Sequence, residues 1–337
     1  MTKIKVLSKS NIKKIINLKM AIKAVEEAYK QKSDNKGEVW PLVFYEYEHN
    51  VFDLDIRSGN LKDSNAYGLK MISYNENNSK ISIPVINATA LIFNDRTGEP
   101  LALLNAEPIT SYRTGAAAAI GAKLLARKNS KTLLIVGSGN VAKYSTAATL
   151  LLFPKIESVY IYNSKRILEK KELSQFKKEV ESLLKESNSS LTAKMNSVKD
   201  IKEITAMSDI IITATPSEKA LIKEEWVKAG THFSCMGAGT PGKQEIDERL
   251  FTKARFFADD QKQCFNQGEA QYAYKKGLIS SFDGEIGDLL TNKIEGRTSD
   301  SDITIFDSTG LFLQDLAMSL ELIDESNKKN IGMEIDL

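Results

Sequence analysis

"KTLLIVGSGNVAKYSTAATLLLF", Lys131 to Phe153, is the stretch that decides how the rest of the chain reads. It opens with an unbroken apolar run of strand length, passes through a glycine turn, and continues as a helix-length segment. Within it "VGSGNVA" matches Gly-x-Gly-x-x-Ala through Gly137, Gly139 and Ala142. Each position has a physical task. Gly137 permits the tight turn, Gly139 lets the backbone approach a pyrophosphate, and Ala142 lets the helix sit close to the strand. Asn140 and Val141 open the helix, whose free N–H groups and positive dipole end face the phosphates. The motif alone is weak; placed between a strand and a helix it predicts a dinucleotide site.

Downstream the same alternation continues. "SVYIYN" reads as a second strand and Leu168 to Lys185 as a charged amphipathic helix. Ile210 to Thr213, Thr231 to Cys235, Phe256 to Ala258 and Ile303 to Phe306 are short strands. Alternating strand and helix predicts an α/β domain, a Rossmann-type doubly wound parallel sheet, over residues 129–310. The second strand ends at Tyr162 and is followed by Asn163, Ser164, Lys165 and Arg166. An NAD site usually carries Asp or Glu there, on the ribose 2′-hydroxyl. Two cations and a hydroxyl suit a 2′-phosphate instead, so NADP(H) is expected over NAD(H). The plainer alternative is that Lys165 and Arg166 begin a solvated helix. "TATPS", with Thr213, Ala214 and Thr215, leaves the next strand and is expected to pass over the nicotinamide ribose.

Residues 1–128 have a different texture. Asn17 to Lys30 is helical by spacing, while Val51–Ile56, Leu69–Ser73 and Thr89–Phe93 are strand-like. "NDRTGEP" turns Ala88–Phe93 back onto Leu101–Leu104 as a hairpin, and Thr110 to Ala126 reads as one buried helix. A last helix from Leu311 is expected to return to this first domain, which would then comprise residues 1–128 and 311–337.

Several classes are disfavoured by the totals. The 337 residues carry a net charge of +2, which gives no global pull toward nucleic acid or membrane. No run of about 18 apolar residues marks a spanning helix. The first residues lack the apolar core of a signal peptide. Cys235 and Cys264 are too few for a disulfide framework, in keeping with a cytoplasmic setting. His49 and His232 are far apart with no ligand-spaced partners, so no metal site is expected.

"GLK" (Gly68 to Lys70), "TGEPLALL", "SYRTGAAAA", "GSGNVA", "GTPGKQE" and "FDSTGLFLQDLA" occur in that order. Together they resemble the ornithine cyclodeaminase/mu-crystallin family over about residues 40 to 320. Six loose motifs in order are specific where one is not. The resemblance implies a Rossmann domain beside an α+β substrate-binding and dimerisation domain, a homodimer, and hydride chemistry at the α-carbon of a small amino, imino or keto acid. It implies that Lys70 is the active-site lysine and that Arg113 binds the substrate carboxylate. It also places Met236, Gly237 and Ser308 beside the cofactor. The chemistry agrees: a guanidinium holds a carboxylate by two parallel bonds, and a lysine beside another cation exchanges a proton near neutrality. Without the resemblance, Lys70 reads as a surface strand lysine and Arg113 as a helix-start arginine in an internal salt bridge.

The chain departs from the family twice. Many members carry an arginine just after the "WP"-like point; here Pro41 is followed by Leu42, Val43 and Phe44. Arg57, in "DIRSG", either replaces that contact or is an ordinary turn arginine. Several members also carry an aspartate in the glycine-rich loop, where this chain has Gly239 in "GAGTPGK". The reading that follows is an NADP(H)-dependent oxidoreductase of the amino-acid dehydrogenase or ketimine reductase type, with NAD(H) as the alternative cofactor. Its rivals are an ornithine cyclodeaminase, which recycles its hydride, and a non-catalytic, crystallin-like NADPH- and ligand-binding protein.

Overall fold

The computed structural model describes residues 3–49 and 51–337. The chain divides into two compact units, Met1–Arg113 with Leu311–Leu337, and Thr114–Gly310. The division falls at Arg113, inside the helix Ala106–Leu125. A long helix is one element by its backbone, yet its two ends bury their side chains in different cores, and sequence spacing does not show where that changeover lies.

The second unit is built on an eight-stranded sheet. In spatial order its strands are Lys194–Val198, Ser158–Tyr162, Thr132–Val136, Ile210–Thr213, His232–Cys235, Ile303–Asp307, Ala254–Ala258 and Gly284–Glu285. Every neighbouring pair is parallel. The chain starts at Thr132–Val136, steps outward twice, then crosses to Ile210–Thr213 on the other side. That reversal is the switch point at which open α/β sheets bind dinucleotides. The inner strands are mainly apolar because helices cover both faces of such a sheet; Leu134, Ile211, Phe233 and Ile305 are all fully buried. The alanine-rich helix lies close enough to the sheet that a Cβ at Gly121 would sit 2.3 Å from the Phe306 ring. Its small residues serve that close approach. His232 is a core residue, with its ring nitrogens 3.0 Å from the hydroxyls of Thr304 and Ser234. Burial pushes its pKa well down.

The first unit is a mixed sheet, in the order Met333–Asp336, Lys3–Leu7, Pro100–Asn105, Ile86–Asn94, Ala66–Asn75, Phe52–Leu61 and Gly37–Val39, with Val43–Glu48 also paired to Phe52–Leu61. The expected hairpin is Ile86–Asn94 against Pro100–Asn105. The last segment is more than a helix: Phe312–Lys328 is helical, and Met333–Asp336 then pairs antiparallel with Lys3–Leu7. The polar Asn327–Asn330 stretch ends the helix and alternation is too short there to announce a strand. Helices Leu18–Ser33 and Phe312–Lys328 pack on each other, and the latter covers strands Phe52–Leu61 and Ala66–Asn75. One face of the sheet is thereby buried.

Candidate active site

Side chains alternate along a strand, and in Ala66–Asn75 the even-numbered Ala66, Gly68 and Lys70 all turn to the helix-covered face and are buried. A lysine therefore occupies a core position. Its Nζ donates to Asp315 Oδ1 at 2.7 Å and to Thr110 Oγ1 at 3.2 Å. Asp315 comes from the C-terminal helix and Thr110 from the start of the alanine-rich helix, so three elements converge on one ammonium. Burial pulls the Lys70 pKa down to about 8, and the neighbouring Arg113 and Arg57 cations push the same way, while Asp315 opposes them. Lys70 is not a surface strand lysine.

Arg113 lies in the same cluster. Its Nη1 donates to Gln314 Oε1 at 3.0 Å, and its Nε stands 3.6 Å from Asp315 Oδ2. That last distance is an ion pair without a hydrogen bond: Arg113 Nε and Asp315 Oδ2 are both buried and each lacks a hydrogen-bond partner. Gln314 is in turn held by donating to Tyr29 Oη at 2.5 Å. Arg57 is directly opposite Lys70 in the strand register, which puts the two on one face. Its guanidinium lies 3.3 Å from Asp55 Oδ2. Arg113 and Arg57 thus both lie near Lys70. Asp315, Gln314, Thr110 and Tyr29 were not foreseen, although "FDSTGLFLQDLA" contains the first two. A Gln-Asp pair in the first turn of a helix carries no signal until the strand lysine it faces is known.

The dinucleotide residues lie in the second unit. Gly137 has φ +121°, and a Cβ there would meet Ala214 O at 2.5 Å, so both backbone and space require glycine. Gly139 is the N-cap of the helix Asn140–Leu152, and no side chain caps that end. A Cβ on Gly139 would meet nothing within 4 Å. An uncapped helix start opening on free space fits a pyrophosphate. Asn163 Nδ2 donates to Ser138 Oγ at 2.9 Å, which ties the end of the second strand to the glycine turn. Ser164 and Lys165 are exposed. Arg166 forms a two-pronged pair with Glu172 on the next helix, both contacts at 2.5 Å.

Past the switch point the loops lock together. Ala214 N donates to Val136 O, Met236 N to Thr213 O, and Ser308 N to Cys235 O. Glu245 accepts from Thr215 N at 2.6 Å and from Gly237 N at 3.0 Å. Ser308 Oγ donates to Asp259 Oδ2 at 2.8 Å. Thr213, Ala214, Thr215, Met236, Gly237 and Ser308 all lie at the carboxyl ends of neighbouring strands, while Asn163 to Arg166 follow the strand on the other side of the glycine turn. Among the described residues no cluster of His, Cys, Asp and Glu is placed to hold a metal ion, and no helix is long and apolar enough to cross a membrane.

Residues 2–330 match the ornithine cyclodeaminase/mu-crystallin family. The chain belongs to that family. Three solved relatives cover nearly all of it. An archaeal alanine dehydrogenase dimer with bound NAD is 32% identical, covers 99% of both chains and has a TM-score of 0.87. The iminosuccinate reductase of Paracoccus denitrificans, in complex with NAD+, is 28% identical with a TM-score of 0.90 over 99% of this chain and 100% of that one. The Delta(1)-pyrroline-2-carboxylate reductase of Thermococcus litoralis, in complex with NADH and L-proline, is 27% identical with a TM-score of 0.88, over 98% of this chain and 100% of its own. The family's two-domain architecture, with a parallel dinucleotide-binding sheet, is therefore the architecture of this chain.

Proposed function

We propose that this chain is an NADP(H)-dependent oxidoreductase that interconverts a 2-amino acid and its imine. The observation that carries the reading is the buried Lys70, held by Asp315 beside Arg113, in a chain whose other unit carries an open glycine turn. Bound nicotinamide supplies hydride transfer to or from the substrate α-carbon. Arg113 is the carboxylate anchor, since a planar guanidinium matches a carboxylate. Arg57 is the second cation available to it. Lys70, poised near pH 8, gives a proton to the substrate nitrogen during reduction and takes one during oxidation. Asp315 holds Lys70 in place and favours its charged form.

Charge favours one substrate class within the family. Lys70 and Arg113 share one carboxylate, Asp315, which leaves one positive charge for the substrate. One carboxylate neutralises it; a second carboxylate or a second ammonium does not. A monocarboxylic imine with a neutral side chain fits best, and ornithine fits poorly.

The nucleotide end supports NADP(H) through this chain's own residues. No carboxylate stands at Asn163 to Arg166 to repel a 2′-phosphate, and Lys165 is exposed. Arg166 joins it only by exchanging Glu172 for the phosphate. The three solved relatives hold NAD+ or NADH, so NAD(H) is the alternative and the preference is a property to be measured here. Self-association also follows. Leu42, Phe44, Tyr47, Met71, Ile86 and Leu103 are exposed apolar residues of the first unit. Such surface marks a protein interface, so the reading includes a homodimer through this unit; the archaeal relative is itself a dimer.

The experiment is a reductive assay of the purified protein with NADPH or NADH, comparing pyrroline-2-carboxylate, pyruvate with ammonia, and iminosuccinate. Net loss of reduced-nicotinamide absorbance with the monocarboxylates supports the reading. Ammonia release from ornithine with no net change in that absorbance replaces it with a cyclodeaminase. Cofactor binding with no turnover on any substrate leaves a crystallin-like binding protein.

A further inference from the structure

Four carboxylates are fully buried in the second unit: Glu245, Asp259, Glu269 and Asp307. Among the described residues none of them forms a salt bridge. Each accepts from at least one backbone N–H group, although Asp259 also takes the Ser308 and Thr309 hydroxyls and Glu269 Oε2 has no partner among the described residues. Glu245 takes Thr215 N on Oε1 at 2.6 Å and Gly237 N on Oε2 at 3.0 Å. Glu269 Oε1 takes Glu245 N and Ile246 N, both at 2.7 Å. Asp307 takes Glu269 N at 3.0 Å and Ala270 N at 2.9 Å. Asp259 Oδ2 takes Gly310 N at 2.8 Å. The bonds form a chain through the segments that follow strands Ile210–Thr213, His232–Cys235, Ala254–Ala258 and Ile303–Asp307.

The arrangement is costly. Burial pushes Glu245 and Asp307 up to about 7 and Glu269 well above the usual carboxylate range. An apolar or amide residue of similar size would avoid that cost. A carboxylate alone has two oxygens that accept at once and no N–H of its own. Glu245 uses both, one for each of two loops. The packing leaves no slack: a Cβ on Gly237 would lie 2.3 Å from Glu245 Oε2 and 2.4 Å from Thr215 O.

We propose that Glu245 is a positioning residue for the nicotinamide half of the cofactor, clamping the Thr213–Ser217 loop to the Met236–Pro241 loop before cofactor arrives. It rests on the reading above, in which these loops receive the nicotinamide end. The topology gives the halves. The adenosine ribose belongs to the end of the strand Ser158–Tyr162, on one side of the switch point, and the clamped loops follow the strands on the other. Glu269 fixes the backbone of Glu245 itself, so the clamp is anchored from behind. A pre-set platform improves binding by avoiding the cost of ordering the loops with the ligand.

The test is Glu245→Gln in the full chain. Glutamine keeps one acceptor oxygen and turns an NH2 toward the other N–H, so one loop is released. Binding of NADPH and NADH should weaken about tenfold, the loss expected for one buried hydrogen bond left unmade. Binding of ADP and its 2′-phosphorylated form, which lack the nicotinamide riboside, should not change. Equal weakening of both classes, or of neither, overturns the proposal. If the unmutated protein binds the ADP forms and no nicotinamide dinucleotide, the functional reading falls and takes the clamp with it. Should the variant not fold, amide hydrogen exchange in the unmutated, cofactor-free protein decides: Thr215 and Gly237 amides should exchange far more slowly than those of Ser138 and Gly139, and equal rates overturn the clamp.

Discussion

Lys70 Nζ lies 2.7 Å from Asp315 Oδ1, and both side chains are withdrawn from solvent. A charge pair that deep is held by its geometry rather than by any surplus of electrostatic attraction. Its chemical consequence is a lysine whose pKa, about 8, sits within reach of neutral pH.

The pH profile follows from that value. Reduction needs Lys70 protonated, so kcat/KM for imine reduction should fall as pH rises through about 8; oxidation of the amino acid should gain over the same range. The stability effect has its own sign. The folded pKa lies below the ordinary 10.5, so between about 8 and 10.5 the unfolded chain holds a proton that the folded one has lost. Lys70 therefore makes stability rise with pH across that window. Lys70→Ala should lower turnover by about 10²–10⁴-fold, and Lys70→Arg should not restore it, because a guanidinium stays charged. Profiles that are flat from pH 6 to 10 in both directions would remove Lys70 from the proton transfer.

Asp315→Asn tests the pair from its other side. Asp315 is what raises the Lys70 pKa against burial, so its loss should move the break in the reductive profile to lower pH. Removing one partner of a buried pair also costs about 3–5 kcal/mol of stability, measurable by denaturant unfolding. Lys70→Met with Asp315→Leu should recover only part of it, because Arg113 still loses Asp315, while remaining inactive. An unmoved pH profile in Asp315→Asn would show that the carboxylate does not act on the lysine.

The sequence made the dinucleotide unit legible because its signals are local. A glycine turn between an apolar strand and a helix is written in consecutive residues, and so are the short apolar strands that follow. Lys70 and Arg113 were legible only through resemblance; by spacing alone a strand lysine reads as solvent-facing. Asp315 was quoted within a motif and left without a role, because its partner lies 245 positions away. Glu245 was passed over for a similar reason. An acid in a glycine-rich loop looks solvated, and only the fold shows that two N–H groups, from loops on either side of it in space, converge on its oxygens.

Cofactor preference should turn on Arg166 and its partner. Glu172 holds the guanidinium by two contacts, and that pairing draws the Glu172 pKa down to about 2. Glu172→Gln should release Arg166 and raise the ratio of NADPH to NADH affinity. Arg166→Ala should lower that ratio, as should Lys165→Ala. Isothermal titration with both cofactors reads it directly. Equal affinities in the unmutated protein, unaltered by all three changes, would mean that no 2′-phosphate contact exists.

The apolar surface of the first unit makes a prediction about assembly. Met71 and Leu103 lie in the central strands of its sheet and are exposed in the single chain. Leu103→Asp should shift the protein toward monomer in light scattering at micromolar concentration. A monomeric unmutated protein under the same conditions would refute a dimer built on this face.

Gly239 completes the set. A Cβ there would meet only Thr309 O, at an ordinary 3.5 Å, and its φ lies outside the left-handed region. Neither space nor backbone requires glycine, so Gly239→Asp should fold with a stability change within about 0.5 kcal/mol. Restoring an acid to the loop should nonetheless fail to produce ammonia release from ornithine. Ornithine brings two ammonium groups and one carboxylate to Lys70 and Arg113, two cations that share the one carboxylate of Asp315. The obstacle lies in that balance. Ornithine cyclisation by Gly239→Asp, with no net change in nicotinamide absorbance, would show instead that the loop acid was all this chain lacked.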